Sequence, residues 1–103
     1  MTDELDALRA RWLDLMRREL PGAAAARPDW PIRLDHCFAR VILDAVCGRP
    51  WREVVSAPAY MHLTADQLSR AVRLAEAILA GEADLEDLNR RSLQARGKLR
   101  SGL

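Results

Sequence analysis

The sequence predicts an all-α domain with four main helices and a short fifth one around Trp51. Ala, Leu and Arg dominate the composition, and these residue types favour helices. Apolar residues recur every three to four positions, which is the spacing of a helix that buries one face. No stretch has the alternating pattern of an ordinary strand, and no internal repeat occurs. A chain of 103 residues is expected to form a single domain with a modest core. We assign that domain to residues 1–97 and expect a disordered basic tail over 98–103.

The first helix is expected over about residues 2–20. Thr2 can cap its N-terminus, and the acidic residues that follow suit the positive end of the helix dipole. The residues of its apolar stripe are Leu5, Leu8, Trp12, Leu15 and Met16. The Pro21-Gly22 pair is expected to end the helix, and two further prolines favour a loop over 23–31.

The second helix is expected over residues 35–47 and has the widest apolar face of the chain. That face consists of Leu34, Phe38, Val41, Ile42, Ala45 and Val46. Asp35 is a candidate N-cap, and Gly48 stands where a left-handed residue commonly ends a helix. Pro50 can then begin a short helix over 51–55. Residues 57–62 are expected to form a compact extended loop.

The third and fourth helices carry clear boundary signals. Thr64 and Gln67 have the spacing of a capping box, in which each side chain bonds the other residue's backbone N–H. Gly81 is expected to end the third helix. Asp84 is expected to cap the fourth helix, which should end at Gly97.

The polar face of the second helix is the first candidate for function. His36, Arg40 and Asp44 lie four residues apart, so they should form one line along the helix surface. An imidazole, a guanidinium and a carboxylate in a row can bind an anion or polar ligand, and the imidazole can also transfer protons. The simpler interpretation is a surface pair of Arg40 with Asp44 beside a solvated His36.

Aromatic residues around the middle of the chain form a second candidate site. Trp51, Tyr60 and His62 have one polar end each, which is common at binding surfaces, and Arg52 adjoins Trp51. Together with the second helix they could enclose a small pocket. Alternatively, Trp30 and Trp51 clamp opposite ends of the second helix as core residues.

The cysteines and histidines do not have a pattern typical of a metal or catalytic site. His36, Cys37, Cys47 and His62 are zinc-binding residue types, but their spacing matches no known ligand pattern. Cys47 should lie at a helix C-terminus, where the dipole disfavours a thiolate. We therefore expect no metal, no cofactor and no covalent mechanism.

The same cysteines indicate a compartment. Cys37 and Cys47 should lie about 15 Å apart along one helix, too far for a disulfide. Reduced cysteines fit the cytoplasm. No signal peptide or long apolar run appears, so we expect a soluble cytoplasmic protein that does not contact a membrane.

Charge is distributed unevenly along the chain, although the net charge is only +1. The last fourteen residues, from Arg90 onward, hold five cations and no anion, which leaves eleven cations and fifteen anions before them. Asn89, Ser92 and Arg96 should share one helix face, and arginines at a helix end can contact phosphates. Nucleic-acid binding is therefore one alternative, although no interleaved aromatics or helix-turn-helix pattern accompany it. The simpler interpretation of these charges is a C-terminal segment that is only solvated.

Four motifs resemble a family of short, poorly characterised bacterial proteins, some of which are described as acetyltransferases of the GNAT superfamily. The motifs are LDHCFARVILDAVCGRPW (34–51), APAY (57–60), LNRRSL (88–93) and RGK (96–98). The resemblance covers roughly residues 28–98 and implies no established activity beyond that description. A GNAT domain contains a central sheet and a glycine-rich turn for acetyl-CoA, whereas the five glycines of this chain occur singly. The resemblance adds Asn89 and Arg96 to the candidate residues.

Together these patterns favour a non-enzymatic binding module, most simply a protein-interaction or regulatory partner. The candidate binding residues are Asp35, His36, Arg40, Asp44, Trp51, Arg52, Tyr60, His62, Asn89 and Arg96. The partner could be a second copy, because the stripe of the first helix has a coiled-coil-like spacing over about two heptads. A small-ligand-binding protein or enzyme that uses His36, Arg40 and Asp44 is the remaining alternative.

Overall fold

A computed structural model describes residues 4–97 and confirms the all-α prediction, because this part of the chain contains helices and turns but no strand. The helices are α1 (Glu4–Asp14), α2 (Leu20–Ala25), α3 (Asp35–Cys47), α4 (Ala59–His62), α5 (Ala65–Leu79) and α6 (Leu85–Ala95). A π-helical turn covers Leu15–Glu19, and a 3₁₀ turn covers Trp51–Glu53. The predicted Thr2 cap and the basic tail over 98–103 lie outside the described residues.

The N-terminal helical segment is longer than predicted. α1, the π turn and α2 follow one another without a break, and the junction residues Asp14 and Glu19 both have right-handed helical backbone angles. The prediction that Pro21-Gly22 ends the helix was wrong, since the helix continues to Ala25. A proline lacks the N–H that a regular helix needs and crowds the preceding turn. The wider π turn directly before Pro21 offers a physical reason why the chain stays helical there.

The boundaries around α3 differ in part from the prediction. Leu34, with extended backbone angles, occupies the N-cap position. The prediction of Asp35 as the N-cap was wrong, because it is the first helical residue and its carboxylate accepts a hydrogen bond from the backbone N–H of His36 at 2.7 Å. At the other end, Gly48 is left-handed with a φ of 73° and donates its N–H to the carbonyl of Asp44, as predicted.

The segment between α3 and α5 is more helical than predicted. The short helix after Pro50 is a 3₁₀ turn that covers Trp51–Glu53 and not the whole of 51–55. The extended loop predicted over 57–62 was wrong in its second half, because Ala59–His62 form the one-turn helix α4. Four residues are too few for an apolar periodicity to be recognised in the sequence.

The caps of α5 and α6 are confirmed. Thr64 Oγ1 accepts from the Gln67 backbone at 3.1 Å, and Gln67 Oε1 accepts from the Thr64 backbone at 2.9 Å. Asp84 Oδ1 accepts from the Asp87 backbone at 3.0 Å and so caps α6. Gly81 and Gly97 follow the two helices with positive φ angles of 77° and 69°.

The core lies where α1, the π turn, α3 and α5 meet, and α6 packs on the other side of α3. The largest fully buried side chains are Phe38, Leu15, Leu20, Ile42, Leu68, Ile78 and Val41. Much of the apolar stripe predicted for the first helix belongs to this core, since Trp12 of α1 and Met16 of the π turn are buried and α1 packs on α5. Pairing of this stripe with a second copy receives no support from these contacts and stays a prediction. None of the helices within residues 4–97 is both long enough and apolar enough to cross a membrane.

The capping box gives a first test of the fold. Thr64→Ala removes the oxygen that accepts the Gln67 N–H, and should lower the free energy of unfolding by about 1 kcal/mol. Urea denaturation measures the change. Ser69→Ala, within the same helix but outside the box, serves as the control and should have a smaller effect. Equal effects of the two substitutions would show that the box contributes nothing specific.

Candidate functional site

The polar side of α3 lies against α6 and not in open solvent. Asp44 retains only 5% of its possible exposure, although its spacing with His36 and Arg40 predicted a free polar face. That prediction was wrong for Asp44. The reason lies in α6, where Asn89, Ser92 and Arg96 supply polar partners that the sequence pattern of α3 alone could not reveal.

Four hydrogen bonds satisfy the buried Asp44 carboxylate. Its Oδ2 accepts from Ser92 Oγ at 2.6 Å and from Arg96 Nε at 2.7 Å. Its Oδ1 accepts from Arg96 Nη2 at 2.9 Å and from the Trp51 backbone N–H at 2.9 Å. The Arg96 guanidinium thus binds the carboxylate with two parallel bonds, which is the strongest geometry for such a pair. Throughout the described residues, no fully buried side-chain nitrogen or oxygen lacks a partner.

These contacts shift the acid–base behaviour of the pair. Burial by itself would raise the pKa of Asp44, but the hydrogen bonds from Arg96, Ser92 and the Trp51 amide outweigh it and lower the pKa. The same carboxylate raises the pKa of Arg96. Both groups therefore stay charged at neutral pH.

Arg40 joins the same arrangement through Ser92. Arg40 Nη1 donates to Ser92 Oγ at 2.7 Å, and Nη2 donates to Asn89 Oδ1 at 2.8 Å. The Ser92 hydroxyl thus accepts from Arg40 while it donates to Asp44. We call Arg40, Asp44, Asn89, Ser92 and Arg96 the Asp44 network. Ser92 was not among the predicted site residues, although its spacing from its two neighbours on α6 placed it on their face.

His36 stands apart from the Asp44 network. Its side chain is 75% exposed at the N-terminal end of α3, and its Nδ1 lies 3.4 Å from a carboxylate oxygen of the exposed Asp35. Eight residues of helix separate it from Asp44, which is about 12 Å along the axis. His36, Arg40 and Asp44 therefore do not converge on one cavity, which removes the geometry that a joint catalytic role would need.

The predicted aromatic residues are partly core. Trp30 packs edge-on against Phe38, with ring centroids 5.7 Å apart, and the Arg27 guanidinium lies 4.9 Å from the Trp30 ring. Trp51 is half-buried, and Arg52 lies 5.2 Å from its ring. The interpretation of the two tryptophans as packing residues at opposite ends of α3 thus agrees with their contacts to the core.

Residues 51–62 form an exposed segment that side chains fix at several points. The Trp51 N–H is held by Asp44, as described above. From α1, Arg9 donates to the carbonyls of Tyr60 and Met61 at 3.1 and 3.2 Å. Within the segment, His62 Nδ1 lies 3.1 Å from the carbonyl oxygens of both Ser56 and Pro58. The regular structure of the segment consists of two short helical turns, Trp51–Glu53 and Ala59–His62, and its backbone is anchored at both ends.

The cysteines and acidic residues form no metal-binding group in the described part of the chain. Cys37 and Cys47 are both free. Burial, and secondarily the charge of Asp44, raise the pKa of the Cys47 thiol, which makes it a poor nucleophile. Within residues 4–97, no three His, Cys, Asp or Glu side chains gather in a group that could hold a metal ion.

The buried ion pair can be compared with an exposed one in the same chain. Arg96→Ala leaves the Asp44 carboxylate buried without its countercharge and should lower the free energy of unfolding by about 3 kcal/mol. Arg18 binds Asp14 with similar geometry, Nε to Oδ1 at 2.8 Å, but its side chain is 72% exposed. Arg18→Ala should therefore lower the free energy of unfolding much less than Arg96→Ala does. Denaturation in urea measures both, and similar losses would contradict the importance assigned to burial.

The lowered pKa of Asp44 predicts a specific acid dependence. Because the folded-state pKa lies below the unfolded-state value of about 3.9, the carboxylate stabilises the fold above that pH and stops doing so as the pH falls through the folded-state pKa. The difference in free energy of unfolding between wild type and Asp44→Asn should thus narrow as the pH falls from 7 towards about 2.

The control for this experiment is Asp29→Asn, because Asp29 is exposed. Its difference from wild type should change less with pH than that of Asp44→Asn. A gap between wild type and Asp44→Asn that stays constant over the whole range would refute the role of the ionised carboxylate.

Comparison of the chain with protein-family models, curated proteins and solved structures finds no match. The resemblance to short bacterial proteins therefore stays a prediction. The sheet of a GNAT domain has no counterpart within residues 4–97, which are helical. The geometry of the Asp44 network and of the 51–62 segment is therefore what indicates a function.

Proposed function

We propose that this chain is a protein-binding module without catalytic activity, and that the 51–62 segment is its contact surface. One observation carries this proposal. The large apolar side chains exposed within residues 4–97 are Leu34, Val54 and Met61, and two of the three lie in the 51–62 segment. Val54 is 42% exposed and Met61 is 46% exposed. Exposed apolar side chains that occur together, and not singly, are typical of surfaces that bind another protein, and these two lie in one short segment.

The anchoring of the segment supports the same function. Asp44 holds its first residue, Arg9 holds the carbonyls of Tyr60 and Met61, and Ala59 is buried in the core. A surface that is already ordered loses less conformational entropy when a partner binds. The 51–62 segment is thus ordered before a partner binds, because contacts from other elements hold it in place.

The exposed residues also indicate the kind of partner surface that would fit. Met61 is flexible and polarizable, so it adapts to apolar surfaces of varied shape. Arg52 and His62 are exposed in the same segment and provide polar contacts around an apolar centre. We therefore propose a partner with an exposed apolar patch bordered by hydrogen-bond acceptors.

The polar face of α3 has a different role in this proposal from the one predicted. Asp44 and Arg40 act within the Asp44 network, where they hold α6 and the start of the 51–62 segment. Asp35 and His36 are exposed, but they lie at the opposite end of α3. They are therefore not part of the proposed contact surface.

The nucleic-acid alternative receives less support from the contacts. Arg90 pairs through Nη2 with Asp87 and Arg96 pairs with the buried Asp44, whereas Arg91 pairs with Asp87 through Nε alone and keeps its Nη groups. An arginine that already neutralises a carboxylate is less available for a phosphate. The protein-binding function is therefore the one we propose.

The proposal can be tested with charged substitutions in the segment. The double variant Val54→Glu/Met61→Glu places two carboxylates on the contact surface, whereas Leu34→Glu changes the third exposed apolar residue at the far end of α3. Tagged wild type and both variants are used to capture proteins from cells of the source organism, with quantification by mass spectrometry. A specific partner should be retained by Leu34→Glu and reduced at least about tenfold by the double variant.

Circular dichroism and urea denaturation establish that the variants remain folded. Light scattering of the purified chain shows whether a second copy is the partner, in which case the double variant alone should shift the mass to that of a monomer. Equal capture by all three proteins, together with an unchanged mass, would rule out the 51–62 segment as the contact surface.

A further inference from the structure

A cavity of about 230 Å³ opens between the C-terminal parts of α3 and α6. The two helices run in the same direction, because Arg40 meets Asn89, whereas Asp44, about one turn further along α3, meets Arg96, about two turns further along α6. Their C-terminal ends therefore lie at the same end of the domain. The cavity is lined there by residues of both helices and of the turn that follows α3.

The floor of the cavity is polar but already saturated. Asp44 and Ser92 both line it. The two Asp44 oxygens accept four hydrogen bonds, and its charge is balanced by Arg96. Ser92 Oγ donates to Asp44 and accepts from Arg40. The floor therefore offers no free carboxylate that would attract a cation or strongly repel an anion.

The exposed charged residues of the cavity are cationic. Arg49 and Arg91 both line it, and both are exposed. Among the described residues, Arg49 has no hydrogen bond or ion pair, and Arg91 uses its Nε for Asp87 at 3.0 Å. The Nη groups of both side chains thus remain available. Cations near helix C-termini are stabilised by the helix dipoles, which accounts for arginines at this position before any ligand binds.

The remaining walls are small and aliphatic. They are formed by Ala45, Leu88 and Ala95, together with Gly48. Pockets that hold drug-sized molecules typically measure about 300–1,000 Å³. A cavity of about 230 Å³ therefore suits a smaller molecule with a short apolar body.

We propose that this cavity binds a small aliphatic carboxylate. The carboxylate would accept hydrogen bonds from Arg49 and Arg91, whose planar guanidinium groups match its geometry. The aliphatic body would lie against Ala45, Leu88 and Ala95. A free carboxylic acid and the C-terminus of a peptide that ends in an aliphatic residue share this chemistry. The cavity is a site separate from the apolar surface of the 51–62 segment.

Hexanoate is the probe for this proposal. Titration of the ¹⁵N-labelled protein with sodium hexanoate should shift the backbone resonances of Ala45, Gly48 and Ala95, and the shifts yield a dissociation constant. Hexanamide has the same body without the charge, and hexylamine has the opposite charge. Both should bind at least about tenfold more weakly, since each loses the charge-assisted hydrogen bonds.

Matched variants assign the binding to the cavity. Arg49→Ala and Arg91→Ala should each weaken hexanoate binding about tenfold, whereas Arg73→Ala, which removes an exposed arginine of α5 outside the cavity, should leave it unchanged. Ala45→Leu keeps every charge but fills the space for the aliphatic body, and should abolish binding. The amide spectra without ligand verify that each variant is folded.

A pair of peptides distinguishes a free carboxylic acid from a protein C-terminus as the source of the carboxylate. A pentapeptide that ends in valine is titrated with a free and with an amidated C-terminus. Tighter binding of the free form than of hexanoate identifies a protein C-terminus, and weaker binding identifies a free acid.

The proposal is overturned if hexanoate causes no localised shifts, if inorganic phosphate binds as tightly as hexanoate, or if Arg73→Ala weakens binding as much as Arg49→Ala.

Discussion

The buried carboxylate of Asp44 is the contact on which the arrangement of the domain depends. It joins three parts of the chain that are distant in sequence, namely α3, the end of α6 and the first residue of the 51–62 segment. Apolar packing can hold two helices together at several registers, because it has no directional preference. Hydrogen bonds with fixed geometry are compatible with far fewer registers. The Asp44 network therefore selects one register for α6 on α3 and, through Trp51, one starting point for the exposed segment.

The two surfaces to which we assign binding both depend on that register. The cavity exists because the C-terminal ends of α3 and α6 lie side by side, and its floor is neutral because Arg96 balances Asp44. The 51–62 segment begins at a backbone N–H that the same carboxylate holds. A single buried pair thus shapes two neighbouring parts of the surface. Neither surface binds its ligand directly through the Asp44 network. The spacing of Arg40 and Asp44 on the second predicted helix had indicated such a direct role.

The sequence revealed the helices more completely than the site, for a physical reason. Caps such as Thr64 with Gln67 and the left-handed Gly48 act over three to four residues, so a short window contains all the information. The burial of Asp44 depends on residues 48 and 52 positions away, Ser92 and Arg96. A polar residue opposite an apolar stripe is normally solvated, and only the packing of α6 changes that. The continuation through Pro21 was likewise hidden, because a π turn has no clear sequence pattern.

The position of His62 has a consequence for the tautomer of its imidazole ring. The ring nitrogen Nδ1 lies 3.1 Å from two carbonyl oxygens, and a carbonyl oxygen can only accept a hydrogen bond. This nitrogen must therefore carry a hydrogen, and in the neutral ring Nε2 is left as the acceptor. The 51–62 segment thus offers a partner a hydrogen-bond acceptor at Nε2, while the Nδ1 side of the same ring holds the shape of the segment.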